Sequence, residues 1–224
     1  MSRPLLVVRP EPGNAATCAR ARALGLDARG FPLFAIRPVA WDAPDPARYT
    51  AFLATSANAI RHAGPHLARY AHLPGFAVGE TTAGAMREAG WTSVVSGDRD
   101  VAAIVARIAT LGDHRLIHLV GRDATPFDPV GVGIETRTVY ASEAVDPGLG
   151  WGALVTQSPI ALVHSPRAGG RLAGLVGAAR SNISLVAISA ATADAAGPGW
   201  EEVAVAPEPR DEAMLALAAR LANT

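Results

Sequence analysis

One sequence pattern limits the folds open to this chain more than any other, and it occurs four times. A short apolar run leads directly into a stretch that favours a helix, most clearly at 52–60 (FLATSANAI) and 161–168 (ALVHSPRA), with weaker copies that begin at Phe76 and Leu185. A short apolar run is typical of a buried strand, and Ser or Thr directly after it predicts the first residue of a helix. Because strands alternate with helices, we predict an α/β fold with parallel-type sheets flanked by helices.

The same junctions predict where a ligand binds. The first backbone N–H groups of a helix have no partner inside the helix, and the helix dipole places positive potential there, so an anion is favoured at that end. Parallel sheets bind ligands at the carboxyl ends of their strands, and each junction lies at such an end. We therefore expect the function to reside in these repeated strand-to-helix junctions.

The distribution of strands and prolines predicts two lobes. Residues 1–37 read as the start of one sheet, residues 38–139 carry strands and helices of their own, and residues 140–224 complete the first sheet. The chain would then cross between lobes near 34–41 and again near 139–142. We expect these two crossings to form a two-stranded hinge with a cleft between the lobes.

Several local expectations follow from individual residues. Asn14 is expected to cap the helix that runs to Leu24, because Asn favours that position. Residues 32–38 are expected to be an extended connector, since they contain two prolines. Residues 41–46 are expected to be an exposed linker, and the helix after Ser56 is expected to stop at Gly64-Pro65.

The composition excludes several classes of chemistry and partner. All 20 basic residues are Arg and the net charge is zero, so neither Schiff-base chemistry nor a broad nucleic-acid or membrane surface is expected. The single cysteine, Cys18, is expected to be a buried structural thiol in a reducing compartment. Neither a signal peptide nor an apolar run long enough to cross a membrane is recognised. These features predict a cytoplasmic protein.

Metal and dinucleotide sites are not expected. His62 and His66 have helical spacing, but Gly64-Pro65 between them should break that helix. His114 and His118 lack a third ligand at suitable spacing. The sequence Gly131-Val-Gly133 lacks the third glycine of a dinucleotide fingerprint.

A series of short motifs, in order across nearly the whole chain, resembles the uroporphyrinogen-III synthase family. The motifs are Leu6–Pro10, Pro32–Phe34, Thr55–Ala59, Ala77–Ala83, Gly121–Asp123, Val139-Tyr140, His164–Ala168, and Ile188-Ser189 followed by Trp200. The resemblance implies two α/β lobes joined by a two-stranded linker. It also implies a cyclising lyase that converts hydroxymethylbilane to uroporphyrinogen III, with loss of water and inversion of the last pyrrole ring. Such an enzyme is monomeric, uses neither a metal nor an organic cofactor, and contacts the preceding pathway enzyme at most transiently.

The resemblance also assigns site residues for a substrate with eight carboxylates. Tyr140 is assigned to assist the departure of the hydroxyl group. The substrate-binding assignments are Arg9, Ser56, Asn58, Thr81, Thr82, Arg122, Ser165, Arg167, Ser189 and Thr192. Each has a structural alternative: the serines can be helix caps, Asn58 can support a first helical turn, the arginines can be solvated charges, and Tyr140 can pack at the hinge.

Two departures from the family pattern keep other functions open. Pro126, Pro129 and two glycines disfavour the helix expected after Asp123, and Ala191 replaces a hydroxyl residue before Thr192. One alternative is therefore a catalytically inactive two-lobed module that binds a tetrapyrrole or another polyanion. A second is a partner-binding subunit that uses the Ala-rich helix expected at 211–221.

Overall fold

The computed structural model describes residues 3–97, 101–112, 114–129 and 131–222. The chain divides into two compact units: a first unit of Met1–Ala35 with Glu143–Thr224, and a second unit of Ile36–Ser142. The strands are β1 (Leu5–Val7), β2 (Ala28–Gly30), β3 (Phe34–Pro38), β4 (Ala51–Ala54), β5 (Gly75–Val78), β6 (Val94–Gly97), β7 (Arg115–Gly121), β8 (Gly133–Ala144), β9 (Ile160–Val163), β10 (Ser184–Ala187) and β11 (Glu202–Val205). The helices are α1 (Gly13–Ala23), α2 (Ala57–His62), α3 (Glu80–Glu88), α4 (Val101–Ala109), α5 (Trp151–Val155), α6 (Pro166–Val176), α7 (Ala190–Ala196) and α8 (Asp211–Ala222).

The first unit is built on a five-stranded sheet in the order β11-β10-β9-β1-β2. Its paired strands are parallel, so the first segment of the chain and the last segment complete one sheet. Successive residues of β1 point to opposite faces, which gives each face its own apolar cluster. Leu6 packs with Leu172 of α6 on one face, whereas Leu5 packs with Met214 of α8 on the other. The predicted α/β class is confirmed here.

The second unit contains a six-stranded sheet in the order β3-β8-β7-β4-β5-β6. The strands from β8 to β6 pair in parallel. Phe52 belongs to the cluster that includes α2 and α3, whereas Leu53 belongs to the cluster that includes α4. The boundaries between the two units fall within β3 and β8, which are neighbours in the sheet.

The prediction that Asn14 caps the first helix is wrong. The helix begins at Gly13, Pro12 occupies the N-cap position, and no side chain caps it. Asn14 is instead 2% exposed, and its Nδ2 donates to the carbonyl oxygens of Val7 at 2.8 Å and Arg9 at 3.0 Å. The amide thereby satisfies backbone acceptors at the end of β1, a buried task that the local sequence does not signal.

The expected connector is extended as predicted, whereas the linker expectation needs correction. Part of the expected connector forms β3, whose proline lies at the strand's last residue. The residues expected to be an exposed linker pack on the second unit: Trp41 donates from Nε1 to the carbonyl oxygen of Ala63 at 2.8 Å, and Tyr70 donates to that of Pro44 at 2.6 Å. An aromatic side chain with a hydrogen-bonding tip therefore anchors a segment that its prolines alone would leave extended.

Other local predictions are confirmed. The helix after Ser56 ends at His62, before Gly64-Pro65, and the described part of the segment after Asp123 contains neither helix nor strand until β8. Cys18 is buried and unpaired. Among the helices that the structure describes, none has the length and apolar character needed to cross a bilayer.

Candidate functional site

In the first unit, three of the strand-to-helix junctions lie at one edge of the sheet. Arg9 follows β1, Ser165 follows β9 and Ser189 follows β10, and the three strands pair in parallel with Val7, Leu162 and Val186 in register. Because the carboxyl ends of parallel strands share an edge, the structure brings these three predicted residues together.

The capping role of the junction serines is confirmed. The Ser165 Oγ atom accepts a hydrogen bond from the backbone N–H of Ala168 at 3.2 Å, and the Ser189 Oγ atom accepts one from Thr192 at 3.3 Å. In the second unit, the Ser56 Oγ atom accepts one from Asn58 at 3.2 Å. Each cap uses an oxygen lone pair and leaves the hydroxyl hydrogen for another acceptor, so capping and ligand binding are compatible.

Accessibility separates the predicted threonines. Thr81 is exposed at the start of α3, whereas Thr82 is 4% exposed and Thr192 is fully buried. The Thr192 hydroxyl lies 3.1 Å from that of Ser189. Thr192 therefore contacts the capping serine and presents no surface to a ligand.

A buried carboxylate that the sequence did not single out organises the charges of the first unit. Asp211, the first residue of α8, has a side chain that is 9% exposed. Its Oδ1 atom lies 2.7 Å from His164 Nε2 and 3.0 Å from the hydroxyl of Thr17, and its Oδ2 atom accepts a hydrogen bond from Arg20 Nε at 2.9 Å. Arg9 is held in the same network, 3.3 Å from Thr17 and 3.6 Å from Asp211.

This network determines the charge states of its members. Burial alone would raise the pKa of Asp211, but hydrogen bonds from His164, Arg20 and Thr17 bring that pKa well below its usual range. Burial lowers the pKa of His164 despite its contact with the carboxylate. A neutral His164 can therefore donate from Nε2 to an ionised Asp211, which also holds the charge of Arg9 at the sheet edge.

Arg167 lies at the start of α6 and is exposed. Its Cζ atom is 4.6 Å from the centre of the Phe34 ring, and that of Arg171 is 5.6 Å from the same ring. A guanidinium at this distance is attracted to an aromatic face. Arg167 is thus positioned by an aromatic partner while remaining accessible.

In the second unit, the predicted residues again gather at the carboxyl edge of the sheet. Ser56 follows β4, Thr81 follows β5, and Arg122 follows β7. The helix α3 begins without a side-chain cap, because Gly79 occupies its N-cap position with a positive φ of 79°. Its first N–H groups and the exposed hydroxyl of Thr81 are donors available to an anion, while the acidic Glu80 that begins the helix is paired with Arg87.

Tyr140 is turned by an irregularity in the pairing of β7 with β8. Val120 pairs with Thr138, but Gly121 pairs with Tyr140, so β8 contains an extra residue at this point. The irregularity places Tyr140 against the apolar cluster that contains Val139, as expected when a bulge re-aims a side chain. The Tyr140 ring lies 6.4 Å from that of His62.

Gly121 makes room for this ring. A Cβ atom at Gly121 would lie 2.6 Å from Cζ and 2.9 Å from Oη of Tyr140. In the sequence, Gly121 stands out only as part of the motif Gly121–Asp123, and that motif does not predict this contact. The signal was present in the sequence as a glycine that ends a mostly apolar strand.

Among residues 3–97, 101–112, 114–129 and 131–222, no group of three or more His, Cys, Asp or Glu side chains is arranged to hold a metal ion. His118 instead lies buried within β7.

Comparisons with known proteins agree with this architecture. A crystal structure of uroporphyrinogen-III synthetase from Helicobacter pylori is similar with a TM-score of 0.70 and 17% identity, covering 98% of this chain and 99% of the other. A uroporphyrinogen III synthase structure from Thermus thermophilus has 18% identity and covers 97% of each chain, but its TM-score is only 0.45. No curated protein sequence matches the chain.

The sequence also matches a family model, described as HEM4, uroporphyrinogen-III synthase HemD, over residues 15–216. The match includes the junctions at Ser56, Thr81, Ser165 and Ser189 and the strands that carry Gly121 and Tyr140. Since it spans most of the chain, this protein belongs to the uroporphyrinogen-III synthase family.

Proposed function

We propose that this protein cyclises hydroxymethylbilane to uroporphyrinogen III, with loss of water and inversion of the last pyrrole ring. The observation that carries the proposal is the family match over residues 15–216. The chemistry of the junctions supports it, because a substrate with eight carboxylates needs many separate anion-binding groups. The reaction makes the protein a cyclising lyase of tetrapyrrole and heme biosynthesis.

In this proposal the carboxylates are bound mainly by groups at the starts of helices. The longer helices α3 and α6, of 9 and 11 residues, offer backbone N–H groups with the hydroxyls of Thr81 and Ser165. Ser56, Asn58 and Ser189 act in the same way at α2 and α7. Thr82 and Thr192 are buried, so we assign them to holding the junctions in shape rather than to contact with substrate.

Three arginines supply fixed charge. Arg9 is oriented by the network around Asp211, and Arg167 by the ring of Phe34. Arg122 is exposed at the carboxyl end of β7. Charge-assisted hydrogen bonds from guanidinium groups are shorter and stronger than neutral ones, and their planar fork matches a carboxylate.

Tyr140 is the proposed proton donor. As the C–O bond of the hydroxymethyl group breaks, the phenol O–H transfers its proton to the departing oxygen, and water leaves. The bilane is then a cationic azafulvene, which bonds to the carbon of the last pyrrole ring that already carries a bridge and so forms a spiro intermediate. The original bond from that bridge to the ring then breaks and gives a second azafulvene, which closes on the free α-carbon of the ring and leaves the ring inverted. That carbon loses its proton, and the phenolate regains one.

The state of the protein in the cell follows from the same proposal. We infer a monomer in the cytoplasm that needs no metal or organic cofactor and that contacts the preceding pathway enzyme only transiently. A protein with zero net charge and a buried free thiol suits that compartment.

The test is an isomer assay. Freshly prepared hydroxymethylbilane is mixed with purified protein, the products are oxidised, and the porphyrin isomers are separated by chromatography. We expect an excess of type III, because spontaneous closure gives type I. A product pool without a type III excess would contradict the proposal and favour the catalytically inactive binding module.

A further inference from the structure

The second unit contains a cavity whose lining includes Arg122 and, beside it, residues to which the proposed function assigns no role. It has a volume of about 300 Å³ and lies between β7, β8 and the segment 122–129. Ligand pockets commonly measure about 300–1,000 Å³, so this cavity is at the small end of that range. It is too small for a tetrapyrrole and large enough for one short arm or a small acid.

A buried imidazole on the cavity wall has one ring nitrogen without a hydrogen-bond partner among the described residues. His118 is 3% exposed and lies in β7, with Nε2 3.2 Å from the hydroxyl of Thr55. Its Nδ1 atom is buried and has no partner among the described residues. Burial lowers the pKa of His118 to about 4, so the ring is neutral near pH 7. A buried polar atom left unpaired is unfavourable, which favours a ligand that pairs with it.

The rest of the lining indicates the chemistry of such a ligand. Thr136 and Thr138 contribute hydroxyl donors, and Arg122 contributes a positive charge. Among the residues that the structure describes, no Asp or Glu lines the cavity; Asp123 and Asp128 are exposed on the same segment but outside the lining. The lining therefore favours an anion over a cation.

A second wall of the cavity, which adjoins His118, is apolar. The Phe127 ring stands edge-on to the His118 ring with their centres 5.6 Å apart, and Pro126 adjoins it. This wall suits a short hydrocarbon body beside the charged group. Together the two walls match a small carboxylic acid better than an inorganic anion.

We propose that this cavity binds a carboxylate carried on a short apolar body, with His118, Thr136 and Thr138 as hydrogen-bond donors. The Thr55 hydroxyl donates to Nε2 of His118, so that Nδ1 carries a proton and donates it to the ligand oxygen. The two threonine hydroxyls donate to the same carboxylate. The ligand is either a free small acid or one acetate or propionate arm of a tetrapyrrole, and the second source rests on the proposed function.

The experiment uses the full chain labelled with ¹⁵N at histidine, and it follows the ring nitrogens of His118 by NMR while propionate is added. We expect saturable binding that raises the pKa of His118 by about 1 to 3, because a nearby carboxylate favours the protonated ring. Propionamide, which has the same shape without the charge, is the matched control and should leave that pKa unchanged. A pKa that propionate does not alter rules out the free-acid source.

A double variant tests the assigned donors. Thr136→Val with Thr138→Val keeps the shape of both side chains and suits a strand, but it removes both hydroxyls. We expect it to weaken propionate binding by about tenfold or more. Equal affinity in the variant and the parent protein, with an unchanged melting temperature, would overturn the assignment.

A third titration with uroporphyrin I, a stable macrocycle that carries acetate and propionate arms, distinguishes the two sources. A His118 response to uroporphyrin I but not to propionate assigns the cavity to a tetrapyrrole arm, and no response to either ligand overturns the proposal. The isomer assay is read separately. An active enzyme with an unresponsive His118 refutes the cavity proposal alone, whereas an inactive protein with a responsive His118 refutes the proposed function alone.

Discussion

Replacing Gly121 by Ala should disable the proposed proton donor without removing it. The new Cβ atom would lie 2.6, 2.8 and 2.9 Å from Cζ, Cε2 and Oη of Tyr140, whereas ordinary contact begins at 3.4 Å. Gly121 is buried and its φ is not positive, so the substitution meets a steric conflict rather than backbone strain. The phenol must therefore move away from its position.

The size of the effect follows from that displacement. The ring has to shift by roughly 1 Å, and a misplacement of that size can cost about 100-fold in rate. Overpacking of a filled site typically costs about 1–3 kcal/mol of folding free energy. We therefore expect Gly121→Ala to lower the single-turnover rate of type III formation by about 10- to 100-fold, while the protein remains folded at 25 °C.

The measurement combines rapid mixing with hydroxymethylbilane, isomer analysis and thermal unfolding. Gly174→Ala is the matched control, since Gly174 is exposed on α6 and a Cβ atom there meets nothing within 4 Å. That variant should keep the parent rate and gain about 0.5–1 kcal/mol of stability, because Ala is the better helix former.

A double variant shows whether Gly121 acts through Tyr140. If it does, Gly121→Ala should have little further effect on the rate in a Tyr140→Phe background, because the phenol is already absent. The proposed effect of Gly121 on Tyr140 is refuted if Gly121→Ala turns over at the parent rate, or if Gly121→Ala slows the Tyr140→Phe variant as much as it slows the parent protein.

Three further predictions concern the proposed donor and the charged groups. Tyr140→Phe should slow type III formation by about 100-fold or more, as expected for the loss of a general acid. Its circular dichroism spectrum should be unchanged. A single-turnover rate equal to that of the parent protein would exclude the phenol as proton donor. Asp211→Asn should lower the free energy of unfolding by about 1.5–3 kcal/mol, because the hydrogen bonds that it weakens involve charged groups. It should also raise KM more than it lowers kcat, because Arg9 loses the carboxylate that orients it. A larger effect on kcat than on KM would argue against substrate binding by Arg9. The free energy of unfolding should fall as the pH drops from 6.5 to 4. Folding lowers the pKa of His118 from 6.5 to about 4 and lowers that of His164, so the unfolded chain binds more protons in this pH range. Denaturant titrations of His118→Gln should show a weaker dependence of stability on pH, and an unchanged dependence would contradict this prediction.

The strands and caps were largely predictable because their signals are local. The sequence predicts a strand at 52–55, one residue later than the observed Ala51–Ala54, and a strand at 160–163, which matches Ile160–Val163; both predictions rest on short, mostly apolar runs. Capping by Ser56, Ser165 and Ser189 was the structural alternative to substrate binding, since a hydroxyl oxygen reaches a backbone N–H only two or three residues away. Such signals act within one turn of a helix, so the sequence alone carries them.

The failures share a different cause. Asn14 has the right residue type for a cap, but tertiary contacts with the end of β1 determine its role. Trp41 lies among prolines and aspartates that suggest exposure, yet its partner is the carbonyl oxygen of Ala63, 22 residues away. Local composition contains no information about either partner.

The sequence by itself determined the α/β class, the junctions at the carboxyl ends of the strands and the family of this protein, because periodicity, caps and ordered motifs are written along the chain. Only the tertiary structure decided that Asp211 contacts His164, Thr17, Arg20 and Arg9. It also decided that an irregular pairing of β7 with β8 places Tyr140 beside Gly121. His164 and Asp211 are 47 residues apart. Contacts at that separation depend on strand register and on how helices pack on a sheet, and those are properties of the whole fold rather than of any short stretch of sequence.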